Sequence, residues 1–255
     1  MSMELKELIA ENDFYDIYKS SDGRAVCVYK KPEYKEKCLY AALTHARVET
    51  TLCNSSIKMA TLHEVMVIGG KWCNVMDWIE GETLEQMMKK NPAKMDTYLD
   101  KLVDVQIEIH DQYMPLLSKL KDKMSRQIKS LGQIDEIRKY ELLTRLDSMP
   151  KHIKLCHNSF EPKNVIINDE GTFVVNWGHA RQGNASADAA KTYLLLKLHM
   201  PEAADAFLEK YCIKTSTSKR YVQAWLPIVA AAQLDKGIES EKEFLMRWID
   251  VVDYS

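Results

Sequence analysis

The chain has no apolar run approaching the ~20 residues that a membrane-crossing helix needs, so no membrane is expected as a partner. It has no stripe of arginine and lysine interleaved with aromatics, and a net charge of -2 supplies no attractive field for a phosphate backbone; nucleic acid is not expected either. No C-x-x-C pair occurs. The cysteines (Cys27, Cys38, Cys53, Cys73, Cys156, Cys212) are scattered without metal-ligand spacing and read as reduced, mostly buried thiols. The first residues, Met-Ser-Met-Glu-Leu-Lys-Glu-Leu, lack an apolar signal core, and a cytoplasmic location is expected. No internal repeat or low-complexity linker stands out. What is there, 46% hydrophobic and 28% charged residues over 255 positions, fits a soluble globular protein of one large domain or two lobes.

The pattern changes along the chain. Residues 14–19 alternate apolar and polar, Ser20-Ser21-Asp22-Gly23 is turn chemistry, and residues 25–29 are rich in β-formers; a hairpin is predicted. Residues 34–48 turn helical, with Leu39, Leu43 and Ala46 as the apolar face. Residues 62–68 and 71–79 read as strands joined at Gly69-Gly70. Glu80-Gly81-Glu82 breaks the pattern, and Thr83 with Gln86 opens a helix as a capping box. A long helical stretch over 96–120, interrupted at Pro115, and further helix over 124–146 follow. A second hairpin, 165–167 with 173–175, turns at Asn168-Asp169-Glu170-Gly171. Helices are predicted over 185–198, 201–212, 218–234 and 239–252.

Between these helices lies the most informative segment: Leu155-Cys156-His157-Asn158-Ser159-Phe160-Glu161-Pro162-Lys163-Asn164, followed after the hairpin by Asn176-Trp177. It resembles the catalytic loop of the aminoglycoside phosphotransferase and choline kinase-like proteins, H-G-D-x-x-x-x-N and then D-W or D-F. Met76-Asp77-Trp78-Ile79-Glu80-Gly81-Glu82-Thr83-Leu84 resembles that family's crossover between lobes. Residues 183–196 resemble its G-D-P-x-x-D-x-A-R-T segment, and the W-L-P tail at Trp225 resembles that of a bacterial branch. The resemblance covers essentially the whole chain. It implies an α+β, bilobal protein kinase-like fold, with a β-rich N-lobe over residues 1–79 and a helical C-lobe over 80–255.

The resemblance also says what is missing. In this chemistry a loop Asp takes the acceptor proton, a loop Asn and a second Asp hold metal, and a strand Lys paired with a helix Glu steadies the phosphates. Here His157 and Asn164 keep their places, but Ser159 stands at the catalytic Asp and Asn176 at the metal-binding Asp. Cys27 stands at the ATP-binding Lys and Ala42 at its Glu. The usual glycines of the first hairpin are replaced by Ala10-Glu11-Asn12-Asp13-Phe14-Tyr15, which puts Glu11 and Asp13 near any phosphate. By resemblance, adenine would meet the backbone of Asp77 and Ile79 beside Met76. Metal would fall to Asn164 and Asn176, two neutral donors, which puts magnesium binding in doubt while leaving ATP or another nucleotide as a candidate cofactor. His157 is expected as a structural loop residue and Asp188 as the anchor of the loop. Glu161, the nearest carboxylate, stands at a position that usually faces outward.

The expectation is therefore a pseudoenzyme of the ATP-dependent phosphotransferase class that binds a nucleotide, a small molecule or a protein partner. The alternatives are an active small-molecule phosphotransferase with a rearranged site using Glu161 or Asp188, and a scaffold that binds no nucleotide. Neither the partner nor the oligomeric state is encoded in a motif.

Overall fold

The computed structural model describes residues 3–12, 14–53 and 55–250. The chain divides into two compact units. One takes the residues up to Thr83 together with Asn164–His179, and the other takes Leu84–Lys163 and the residues from Ala180 on. The expected boundary at 79/80 thus falls four residues early, and the second hairpin belongs with the N-terminal unit. The reason is hydrogen bonding. The short strand β6 (Glu82–Thr83) pairs with Val165–Asn168 of that hairpin. Asn168 Nδ2 donates to the Glu80 carbonyl at 2.7 Å. Gly81 is required at this junction: its φ is +145°, and a Cβ would stand 2.7 Å from the Ile167 carbonyl oxygen.

The N-terminal unit is built on an antiparallel sheet of β1 (Leu5–Glu11), β2 (Tyr15–Ser20), β3 (Arg24–Tyr29), β4 (Leu62–Ile68) and β5 (Lys71–Asp77), in the order β1-β2-β3-β5-β4. Strand parity sorts its residues onto two faces. Val26 opposes Val75 and Val28 opposes Cys73, and these four form a core with Met3, Leu5, Tyr18, Met66 and Ile68. On the other face Cys27 opposes Asn74. The Gly69-Gly70 turn has φ of +56° and +78°, the left-handed pair that a two-residue hairpin demands.

Helix α1 (Lys35–Leu52) buries Cys38, Ala42, His45, Val48 and Leu52. This corrects the expected face: Leu39, Leu43 and Ala46 are exposed. The helix is turned by one residue, about 100°, because its docking contacts are polar and small rather than leucine-based. Cys38 Sγ lies 3.0 Å from Asn74 Oδ1, and Gly178 approaches so closely that a Cβ there would stand 2.9 Å from the Ala41 Cβ.

The second unit is mainly helical: α2 (Leu84–Lys90), α3 (Met95–His110), α4 (Leu120–Ser130), α5 (Glu136–Ser148), α6 (Ala185–His199), α7 (Pro201–Thr215), α8 (Lys219–Gln223), α9 (Leu226–Leu234) and α10 (Glu239–Ile249). Helix α3 ends at His110, short of the expected break at Pro115. The chain there turns to pair with strand Lys154–Cys156: Leu155 N donates to the Gln112 carbonyl and Met114 N to that of Ile153, at 2.8 and 2.9 Å. That strand also pairs with Arg181–Gly183. Helix α9 is buried at every position, as befits a helix apolar nearly all round, and α6 is buried from Ser186 to Leu196 even though that stretch carries Asp188, Lys191 and Thr192. Asp135, Asn184 and Ser218 cap their helices by accepting from Arg138, Ser186 and Tyr221 backbone N–H groups. Among the described residues, no helix is long and apolar enough to cross a membrane.

Candidate functional site

In the N-terminal unit, the positions that the resemblance assigns to phosphates and metal are neutral. Cys27 on β3 is buried, and burial, with Cys38 and Cys73 nearby, pushes its thiol up to about 12; it carries no charge at neutral pH. Ala42 is buried one helical turn beyond Cys38. Asn74, opposite Cys27, and Cys38, one turn before Ala42, form a reciprocal neutral pair. The thiol donates to Asn74 Oδ1 at 3.0 Å, and Asn74 Nδ2 donates to the Cys38 carbonyl at 3.3 Å. Sequence reasoning misses Asn74. Its one signal is a polar residue between Cys73 and Val75 in an otherwise apolar strand, which parity places on the Cys27 face.

Tyr15 is missed as well. Asn12 Oδ1 accepts from the Phe14 and Tyr15 backbone N–H groups, both at 2.9 Å, and so fixes the end of the loop before β2. The Tyr15 ring packs on Tyr29 with centroids 5.4 Å apart. Its hydroxyl donates to Asn176 Oδ1 at 3.1 Å, and burial, then the neighbouring Cys27, raises its pKa. Asn176 sits in the left-handed region at φ +68°, where asparagine is among the best tolerated side chains. Glu11 is exposed on β1, and Asp13 lies outside the described residues.

The donor set in this unit does not fit a magnesium ion. Asn164 and Asn176 bring two amides and no carboxylate, and the Asn176 oxygen also accepts from Tyr15. Among the described residues, no group of three or more His, Cys, Asp or Glu side chains could hold a metal ion. At the crossover, Met76, Asp77 and Ile79 are half-buried. The Asp77 N–H donates to the Thr61 carbonyl at 3.0 Å, and its carboxylate accepts from Thr61 N and bonds His63. Trp78 Nε1 and Lys19 Nζ both meet Glu80 Oε1 at 2.6 Å, which ties the crossover to β2.

The loop residues up to Lys163 lie in the second unit. Asp188 on α6 is fully buried and accepts from His157 N at 2.9 Å, Asn158 N at 2.6 Å and His110 Nε2 at 3.0 Å. Burial alone would raise its pKa; the His110 contact and the loop N–H groups outweigh that and lower it. Asp188 is thus the anchor of the loop, as expected, and its oxygens are fully engaged. His157 is buried with its ring edge-on to Phe160. Asn158 takes φ +61° at the position where the resembling pattern has glycine. Ser159 is buried behind it.

Glu161 corrects an expectation. It does not face outward: it is 5% exposed, with Oε2 2.7 Å from His199 Nδ1 and Oε1 3.0 Å from Lys163 Nζ. Burial would raise its pKa, but the His199 and Lys163 contacts lower it below the ordinary glutamate value, which makes it a weaker base.

The family model described as "Phosphotransferase enzyme family" matches residues 67–225, more than half of the chain. No curated protein matches. Among solved structures, a thermostable mutant of aminoglycoside phosphotransferase APH(4)-Ia in its apo form superposes with a TM-score of 0.73 at 13% identity, covering 96% of this chain and 93% of that one. LicA in complex with AMP gives 0.65 at 15%, covering 98% and 91%. ADP-bound aminoglycoside phosphotransferase APH(2'')-Ib gives 0.60 at 17%, covering 96% and 91%. At such identities these likenesses establish the α+β kinase-like fold.

Proposed function

The chain belongs to the phosphotransferase enzyme family, and from that membership we propose that it is a binding module of the family whose phosphoryl-transfer chemistry has been lost. The reading rests on the Tyr15–Asn176 hydrogen bond. It engages the one side-chain oxygen that Asn176 brings to the metal position, in a unit where Cys27 and Ala42 are also uncharged. Positioned charge usually contributes more to such catalysis than any other effect, and a general base adds ~10²–10⁴-fold; Ser159 is no such base. The relatives solved with ADP and AMP favour a nucleotide as the ligand. Against a rearranged active site stand the hydrogen bonds that consume the carboxylates of Glu161 and Asp188.

The test is a thermal melt with ATP, with and without magnesium, beside a turnover assay on aminoglycosides and choline. A ligand at ~100 times its Kd stabilises by ~2.7 kcal/mol. The expected result is a shift that does not depend on magnesium, with no turnover. A magnesium-dependent shift with turnover by the wild-type protein, in a preparation free of contaminating kinase, would overturn the reading, and loss of that turnover in Glu161→Ala would assign it to a rearranged site. No shift at all would leave a scaffold.

A further inference from the structure

The second unit holds a groove that the loop motif does not use. Lys121 Nζ, in the first turn of α4, donates to the Asp147 and Met149 carbonyls at the close of α5, at 3.0 and 2.8 Å. Beside that tie the two helices enclose, with residues 150–153 and 182–184, a cavity of about 570 Å³. Small-molecule sites fall in the range of ~300–1,000 Å³. Its walls are fixed by bonds. Gln182, 7% exposed, donates through Nε2 to the Pro115 and Leu117 carbonyls. Asn184 Nδ2 donates to the Tyr221 hydroxyl at 2.8 Å and the Pro150 carbonyl at 3.4 Å. Strand Lys154–Cys156 leads from this cavity to His157, so the cavity and the loop of Ser159 stand at opposite ends of that strand.

Four lysines line the groove against two aspartates, Asp122 and Asp147. The Lys121 ammonium goes to backbone carbonyls rather than to either carboxylate. Lys119, Lys129 and Lys151 are exposed, and among the described residues their ammonium groups make no hydrogen bond or ion pair. Two of them stand at one end: Lys119 bridges Gln182, and Asn184, two residues on, bonds Pro150, the neighbour of Lys151. Lys119 gives α4 no side-chain cap, which leaves the first N–H groups of that helix free beside it. The backbone N–H groups of Lys151 and His152 are likewise unbonded among the described residues. This end therefore offers donors in excess, and the aspartates offset only half of the lysine charge. Further along, the lining turns apolar, with Leu146 at 3% exposure and Leu143 one turn back on α5.

We propose that the groove between α4 and α5 is a binding site for a small amphipathic anion, its phosphate or carboxylate held at Lys119 and Lys151 and its apolar body laid on Leu146 and Leu143. Charge-assisted hydrogen bonds from the ammonium groups would orient the head, and the leucines would desolvate the body. The site uses none of Cys27, Asn164 or Asn176 and stands apart from the nucleotide reading.

The experiment is titration calorimetry of the full chain with phenyl phosphate and, separately, with benzoate. Benzyl alcohol supplies the ring without the charge, and inorganic phosphate the charge without the ring. The expected result is saturable binding of at least one of the two probes, about tenfold or more tighter than either control and weakened by about tenfold or more in Lys119→Met with Lys151→Met. Both lysines are exposed, so this double variant should keep its fold. Binding of phenyl phosphate alone would identify a phosphorylated ligand, and of benzoate alone a carboxylate; either supports the site. No saturable binding, affinity no better than that of the controls, or affinity retained in the double variant would overturn the proposal. In a parallel melt with ATP, a shift without probe binding would remove this site alone. Probe binding without an ATP shift would leave the site standing and remove the nucleotide reading.

Discussion

The Tyr15 hydroxyl donates to Asn176 Oδ1 at 3.1 Å, joining the first residue of β2 to the position that ends the second hairpin. The bond lies within one unit of the chain and connects segments 161 residues apart. Tyr15→Phe should cost about 0.5–1.5 kcal/mol. In a double-mutant cycle with Asn176→Ala, the two positions should couple by more than about 0.5 kcal/mol. Simple additivity in urea denaturation would mean that the bond contributes nothing.

Restoring the acids alone should not restore catalysis. Ser159→Asp with Asn176→Asp leaves Cys27 and Ala42 uncharged, and Tyr15 still donates to position 176. No efficient turnover of ATP is expected, with or without magnesium, in a coupled assay. Rates typical of the family's active members in this double variant would mean that the positions assigned to the phosphate charges are wrong.

The anchoring of the loop by Asp188 predicts a steep stability loss. Asp188→Ala strands two backbone N–H groups and His110, and should cost roughly 3–5 kcal/mol or prevent folding. Asp188→Asn keeps one accepting oxygen for three donors and should cost roughly 1–3 kcal/mol. Denaturation midpoints near wild type for both variants would remove Asp188 from this role.

His199 gives a pH signature. Its contacts with Glu161 and then Glu241 raise its pKa from 6.5 to about 9. A base whose folded pKa is raised stabilises fully below the unfolded value and loses that contribution as pH rises through the folded one. Stability should therefore fall between pH 6.5 and about 9, and His199→Gln should flatten that part of the profile. Parallel profiles for the two proteins would contradict the network.

The face on which helix α1 docks can be tested by a pair of leucines. Leu43→Lys, on an exposed position, should stay within about 0.5 kcal/mol of wild type. Leu52→Ala, at a buried one, should cost about 2–5 kcal/mol. Melts that rank them in the reverse order would restore the leucine face.

Most of the longer elements, their order and the loop motif were legible in the chain alone, because these depend on local periodicity and turn chemistry; β1 and the short strands Glu82–Thr83, Lys154–Cys156 and Arg181–Gly183 were not, since they form through pairing with distant segments. Gly69-Gly70 and the 20–23 turn set hairpins whatever lies around them, and His157, Asn164 and Asn176 stand out as a spaced pattern. It is equally legible that Cys27, Ala42, Ser159 and Asn176 bring no carboxylate and no ammonium. Which way these residues face, and what they touch, came from the folded chain. Hydrophobicity placed Leu39 and Leu43 inside, but α1 docks through Cys38 on Asn74 and through Ala41 beside Gly178. Close approach there outweighs the larger side chains. Glu161 turns inward because His199, 38 residues on, meets its carboxylate. Tyr15 matters because a hairpin from far along the chain carries Asn176 to its hydroxyl. Such pairings carry no local signal, since burial and partner arise only when distant segments close on one another.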